Sequence, residues 1–193
     1  MINMVLIIVA YLLGSFPSAL VIGKTFYHKD IRNYGSGNLG STNAFRILGK
    51  KGGAIVFILD ILKGGLALLI ATYGGATISP LIIAMFALIG HIYPIFANFK
   101  GGKAVATSSG IVLFYSPALF LTLFIIFVVT LKIWKMVSLS STIISIAAVI
   151  IMWIGSYDLT AKIMFSIFAT LIIVKHIPNY KRILNGTENK VSL

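Results

Sequence analysis

The sequence predicts an all-α integral membrane protein, and three observations predict it. Of its 193 residues 59% are hydrophobic and only 10% are charged, with a mean hydropathy of +1.02, whereas soluble domains hold roughly 45–50% apolar and about 25% charged residues. Apolar runs recur at about the length of one bilayer crossing, ~20 residues at a rise of ~1.5 Å each. Sixteen Lys and Arg stand against four Asp and Glu, giving a formal charge of +12, and most of these bases gather between the runs. The composition excludes a water-soluble globular domain. The absence of cysteine excludes disulfides, thiolate metal sites and a cysteine acyl-enzyme. No polar stretch is long enough to bury a second core in water, so residues 1–193 form one expected domain.

Taken in order, the first run covers residues 2–22. It has no basic segment ahead of it and no small-residue cleavage site, which marks a permanent span rather than a removable signal. Residues 54–73 and 136–154 also have full crossing length, while 80–96 and 159–174 are slightly short. Residues 104–115 and 118–134 are separate spans only if Ser116-Pro117 makes a turn, because proline lacks an amide donor and disfavours helix in the residue before it. Kink and turn are both open on that ground, and charge favours the turn. Basic residues accumulate in short cytoplasmic loops. The stretch 24–51 holds Lys24, Lys29, Arg32, Arg46, Lys50 and Lys51; Lys100 and Lys103 flank a glycine pair; the tail holds Lys175, Lys181, Arg182 and Lys190. Residues 74–79 and 155–158 have no Lys or Arg and belong outside. Only an even number of crossings between Lys103 and Lys175 keeps both inside. The turn supplies that number, giving seven transmembrane helices with the N-terminus outside, the C-terminus cytoplasmic and the glycine-rich loops on the cytoplasmic face.

Charges within spans need partners. Asp158 and Lys162 are four apart in the order that favours a helical salt bridge, an expected structural pair. Asp60 and Lys63 are three apart and must face the bundle or a wet cavity, with a structural and a functional role equally open.

Polar capacity concentrates in three segments, 34–46, 90–107 and 175–188, which the topology brings to one face. The first contains Gly35-Ser36-Gly37-Asn38 and Thr42-Asn43 before Arg46, where glycines admit a ligand close to the backbone and the side chains add donors, a composition suited to phosphate. Its formal Gly-x-Gly-x-x-Gly is not a dinucleotide fingerprint, since a membrane helix and a charged turn precede it instead of a strand. A nucleotide-binding Walker loop is excluded by the lack of Gly-Lys-Ser or Gly-Lys-Thr. The second segment has a helix end broken by Pro94, then Lys100-Gly101-Gly102-Lys103. Lys103 stands before a helix whose free amides can face the same anion, while Lys100 equally suits lipid headgroups. The third places His176 and Asn179 three apart at the water boundary, with Arg182 beyond and Pro178 between them. His28 is expected in a solvated turn and His91 at a hydrogen-bonded helix end, which leaves His176 as the candidate for proton chemistry. No histidine has a second ligand at zinc-like spacing, so no metal is expected. Bases spread along membrane boundaries make nucleic acid a poor partner. A transporter of organic anions would also suit basic, glycine-rich loops, but no internal repeat is present.

With Gly35-Ser36-Gly37-Asn38, Thr42-Asn43 and Arg46, Gly90-His91 with Pro94 and Phe99-Lys100-Gly101-Gly102-Lys103, and His176 with Asn179, Arg182, Gly186 and Glu188, the chain resembles the bacterial membrane glycerol-3-phosphate acyltransferases that use acyl phosphate as donor. The resemblance covers most of the chain. It implies transfer of a fatty acyl group to the 1-hydroxyl of glycerol 3-phosphate, yielding lysophosphatidic acid and inorganic phosphate, the first step of bacterial phospholipid synthesis. It also implies seven membrane helices, no cofactor, and an active site on the cytoplasmic face of the bacterial cytoplasmic (inner) membrane, with membrane lipid around it. Ser36, Arg46, Lys103, His176 and Asn179 are then the expected catalytic residues, and Gly35, Gly37, Asn38, Thr42, Asn43, Lys100, Gly101, Gly102 and Arg182 the expected substrate contacts. Glu188 is expected to pair with Arg182 or a neighbouring loop.

Overall fold

A computed structural model describes residues 1–191; Ser192 and Leu193, the last two residues of the expected domain, lie outside the described residues. Among the described residues every regular element is helical. The chain divides into two compact units, Met1–Tyr115 and Ser116–Leu193.

The first unit holds α1 (Ile2–Ser15), α2 (Ser18–Tyr27), α3 (Ser41–Tyr73), α4 (Pro80–Ile92) and α5 (Val105–Tyr115), with 3-10 turns at Ile31–Asn33 and Ile95–Ala97. The expected single span 2–22 is broken. Phe16 takes φ −58°, ψ 115°, as a residue before proline prefers, and α2 leaves at 40° to α1. In α3 the helix starts thirteen residues before the expected position 54, bending at Gly49, whose φ of 74° suits only glycine. Pro94 ends α4 at Ile92, as the sequence indicated. Helix α1 lies along α4 and α5 lies along α3, while α3 also touches α1, α2 and α4. These seams are close because they are made of small residues: a Cβ at Gly14 would strike the Ala87 backbone, and one at Gly64 the Thr107 carbonyl. Such contacts replace the hydrophobic drive that lipid removes.

The second unit holds α6 (Pro117–Trp134), α7 (Val137–Ile154), α8 (Leu159–Lys175) and α9 (Ile177–Leu184). Ser116-Pro117 makes a turn rather than a kink, with Ser116 extended at φ −153° and its hydroxyl capping the Leu119 amide at 3.3 Å. Along α6 Leu121, Phe124, Ile125 and Val129 are exposed, whereas on α7 Ser138, Ser140, Ser141 and Ser145 are buried. This pattern, apolar outside and hydroxyl inside, is that of helices solvated by lipid, and Ser141 and Ser145 donate back to the carbonyls of Val137 and Ser141 at 2.8 Å. The expected Asp158–Lys162 salt bridge does not form. Asp158 caps α8 by accepting from the Ala161 amide at 3.0 Å, and the Lys162 ammonium sits over Trp153 at 5.9 Å from the ring centre.

By length and hydropathy α3, α4 with its 3-10 turn, α6 and α7 can each cross a bilayer, and the bent pairs α1 with α2 and α8 with α9 reach that length together. Helix α5 is shorter, at 11 residues.

Candidate active site

In the first unit the segment between α2 and α3 is shaped by one amide. Asn43, two residues into α3 and buried, accepts from the Ser36 amide through Oδ1 at 3.1 Å and donates through Nδ2 toward the carbonyls of Asn38 at 3.1 Å, Tyr34 at 3.2 Å and Ile31 at 3.4 Å. Asn38 in turn accepts from the Gly40 amide at 2.8 Å. Gly35 and Gly37 have φ of 61° and 67°, and a side chain at Gly35 would strike the Asn43 carbonyl oxygen. The structure therefore places Asn38 and Asn43 within the loop as its braces. Ser36, Thr42 and Arg46 are exposed. Thr42 and Arg46 are one helical turn apart at the start of α3, where Gly40 caps without a side-chain bond and the first amides point outward. Nearby Asp30 pairs with Arg32 at 2.6 Å and Lys24 at 3.3 Å, bonds that hold its carboxyl far below the usual carboxylate range.

The second segment folds back onto the end of α4. The Gly101 and Gly102 amides donate to the carbonyls of Ile92 and His91 at 3.2 and 3.0 Å. A Cβ at Gly102 would enter the His91 imidazole, and one at Gly101 would meet the His91 carbonyl, so both glycines are there for close approach. Lys100 is exposed, and Lys103 is half-buried two residues before α5 begins. His91 stands at a bonded helix end, its carbonyl accepting from Gly102, but its buried Nδ1 has no hydrogen-bond partner and lies 3.7 Å from Asp60 Oδ1. His28, in the left-handed conformation after α2, is exposed as expected. A small half-open pocket lies between Phe16, Ser18, Leu39, Lys63, His91 and Gly102.

In the second unit His176 is the corner between α8 and α9, which meet at 50°. Its amide closes α8 on Ile172 and Ile173, and Pro178 fits the first turn of α9, where no amide is needed. The His176 ring is buried with Nδ1 2.8 Å from the Ile172 carbonyl; a carbonyl only accepts, so Nδ1 carries a proton and donates it there. One turn on, Asn179 donates to Glu188 Oε1 at 2.7 Å and Arg182 to Oε2 at 2.8 Å, the Arg182 pairing the sequence indicated for Glu188. Ser138 of α7 also donates to Oε1, at 2.7 Å, and Thr142 and Tyr180 share a bond of 2.7 Å. Burial pushes the Glu188 carboxyl up, but the bonds from Asn179, Ser138 and Arg182 outweigh it and hold the pKa below the usual value. Ser138 and Thr142 are the partners that the sequence did not single out; their only signal was the dense hydroxyl run that opens α7. Among the described residues no three His, Cys, Asp or Glu gather in a way that would hold a metal.

The family model for glycerol-3-phosphate acyltransferase matches residues 4–186. Glycerol-3-phosphate acyltransferase 2 of Bacillus anthracis is 50% identical over 98% of this chain and 99% of its own length. The glycerol-3-phosphate acyltransferase of Bacillus subtilis strain 168 is 50% identical over 96% of each. Among solved structures, PlsY, an integral membrane glycerol 3-phosphate acyltransferase, superposes in its glycerol 3-phosphate form with a TM-score of 0.93 at 38% identity, over 98% of this chain and 96% of that one. Its lysophosphatidic acid form superposes at 0.90 and 37%, over 98% and 95%. These matches run along nearly the whole length, and the chain belongs to the glycerol-3-phosphate acyltransferase family of integral membrane enzymes.

Proposed function

We propose that this acyltransferase takes its acyl group from a fatty acyl phosphate and delivers it to the 1-hydroxyl of glycerol 3-phosphate, releasing lysophosphatidic acid and inorganic phosphate. The observation that carries the reading is the exposed Ser36, Thr42 and Arg46 around a glycine loop at a helix start, a cradle for a phosphate rather than for a large carrier or nucleotide. Solved relatives with glycerol 3-phosphate and with lysophosphatidic acid support the acceptor and the product.

The reaction forms a bond from the glycerol hydroxyl oxygen to the acyl carbonyl carbon and breaks the bond from that carbon to the phosphate oxygen. An acyl phosphate is already an activated anhydride, so holding two anions together and steadying the developing oxyanion accounts for most of the catalysis. Arg46 and Lys103 hold phosphate, Ser36 and Thr42 add donors, and Asn38 and Asn43 complete the cradle through the loop they shape. Gly35, Gly37, Gly101 and Gly102 let backbone and loop come close, Lys100 adds charge at the entrance, and His176, Asn179 and Arg182 orient the attacking hydroxyl. The hydroxyl proton ends on the phosphate oxygen released from the acyl carbon, passing directly or through Nε2 of His176. A His176→Gln variant that keeps most of its turnover identifies the direct route. In the bilayer, residues 1–193 work as one domain of seven crossings in the bacterial cytoplasmic membrane, the N-terminus outside, the site on the cytoplasmic face and the acyl tail among lipid-facing helices.

The test is a transfer assay with purified protein, glycerol 3-phosphate and long-chain acyl phosphate, with acyl-CoA as the control donor. Coupled release of phosphate and lysophosphatidic acid with acyl phosphate alone is the expected result. Transfer from acyl-CoA instead would overturn the donor, and no product from folded protein would overturn the reaction.

A further inference from the structure

The Asp60–Lys63 pair is absorbed by none of the roles above. Both residues are buried in the apolar helix α3, with Lys63 Nζ 2.8 Å from Asp60 Oδ1. Nζ also donates to the Phe16 carbonyl at 3.1 Å, and Asp60 Oδ1 accepts from the Ser18 hydroxyl at 2.9 Å, so the pair grips both sides of the α1–α2 break. Replacing a buried ion pair by apolar residues of equal volume is often neutral or stabilising, and charges inside membrane spans mark working sites. Packing alone therefore gives no reason for this pair.

Two further observations point to an occupant. An ammonium has three N–H donors; Asp60 and Phe16 take two, and Lys63 lines the small pocket shared with Ser18, Leu39, His91 and the Gly101-Gly102 turn. In the same unit Ser15 Oγ, Asp60 Oδ2, His91 Nδ1 and Thr107 Oγ1 are buried without a hydrogen-bond partner, and of these residues His91 lines the pocket. Ser15 lies against Gly90 beside His91, and Thr107 against Gly64 beside Lys63. Buried polar atoms are nearly always satisfied, and the orphan His91 Nδ1 in the same pocket wall as a spare ammonium donor describes a site for a polar, anionic group.

We propose that Lys63 is an anion contact: its ammonium takes a phosphoryl oxygen of one of the two substrates, and Asp60 is the positioning residue that keeps the amine aimed into the pocket. The pocket adjoins both the glycine loop, through Leu39, and the second loop, through Gly101 and Gly102, so the phosphoryl group of either glycerol 3-phosphate or the acyl phosphate can supply the anion. The identity of that anion rests on the transfer reaction proposed above; the presence of the subsite does not.

The experiment has two arms. In the first, Lys63→Gln removes the charge and keeps a donor for the Phe16 carbonyl, and KM is measured for each substrate. Loss of one charge-assisted contact is expected to raise the KM of the substrate seated there by about tenfold to a hundredfold, with kcat changed less and with Asp60→Asn raising the same KM by a smaller factor. A rise for glycerol 3-phosphate alone assigns the subsite to the acceptor, and a rise for acyl phosphate alone assigns it to the donor. Unchanged KM for both in folded Lys63→Gln overturns the proposal. The second arm uses wild-type crystals grown with tungstate, and decides the matter if the variant does not fold. An anomalous peak within about 4 Å of Lys63 Nζ supports the subsite, and tungstate bound only elsewhere, or not at all, overturns it. Because this arm needs no turnover, it separates failure of the subsite from failure of the transfer reaction.

Discussion

Removing the Asn43 amide is the most direct way to learn whether the glycine loop is built or merely present. In Asn43→Ala the Ser36 amide loses its acceptor and the carbonyls of Tyr34 and Asn38 lose their donor, with the 3.4 Å contact to Ile31 already weak. Three bonds at a net ~1 kcal/mol each sum to about 3 kcal/mol, a roughly 150-fold shift toward a collapsed or mobile loop. We expect kcat/KM for glycerol 3-phosphate to fall about a hundredfold or more, with faster proteolysis at 34–40 and only a modest loss of thermal stability in the rest of the unit. Asn43→Asp sharpens the test. It keeps the acceptor for Ser36 but turns a carboxylate oxygen toward three carbonyls, so it should be at least as damaging as alanine. Near-normal activity and loop protection in Asn43→Asp would refute the assignment of Nδ2 as the brace. A raised KM with the loop still protected in Asn43→Ala would make Asn43 a direct phosphate contact instead.

Gly102→Ala drives a methyl into the His91 ring and should cost about 1–3 kcal/mol, read as a lower unfolding temperature, while an Ala at exposed Gly75, which has open space but φ of 77°, should lower stability by backbone strain alone and leave KM unchanged. Asp158→Ala removes the α8 cap and should cost about 1 kcal/mol in thermal unfolding without changing turnover. Glu188 has a folded pKa below its unfolded value. Its contribution is therefore full above the unfolded carboxyl pKa of ~4.3 and is lost as pH falls through the lower folded value. Proteolytic release of the tail should rise only under that acid condition in the wild type, and should be elevated and flat with pH in Glu188→Gln.

The sequence reported the helices well where charge could resolve what a proline left open and poorly where run length alone had to decide. At Ser116-Pro117 the proline allowed kink or turn, the loop charges favoured the turn, and the turn is there with its serine cap. At Phe16-Pro17 the same proline sat inside an apolar run of full crossing length, and length concealed the break. The early start of α3 was hidden by Gly49, Lys50, Lys51 and the pair Gly52-Gly53, a composition that resembles a loop until the helix is seen to bend at one glycine and continue. The candidate site residues were visible by type, because arginine and histidine are scarce in lipid and their presence needs a reason. Their division of labour was not. Asn43 looks like a phosphate donor in the sequence and is a brace in the fold, since its three carbonyl partners come from a turn whose path depends on it. Asp158 and Lys162 had helical spacing for an ion pair, yet the cap position and the Trp153 face competed successfully for them.

The four acids have a consequence for kinetics. Asp30 is tied to Lys24 and Arg32, Asp60 to Lys63, Asp158 to a helix start, and Glu188 to Arg182. Each acid therefore acts over a short range, and the sixteen bases of a +12 chain meet almost no opposing field at a distance. An approaching anion is drawn in by an attraction that counterions weaken over a Debye length of about 8 Å at physiological ionic strength. The capture rate of a small dianion should thus fall steeply with added salt, whereas a lipid-borne donor arriving laterally through the bilayer should respond far less.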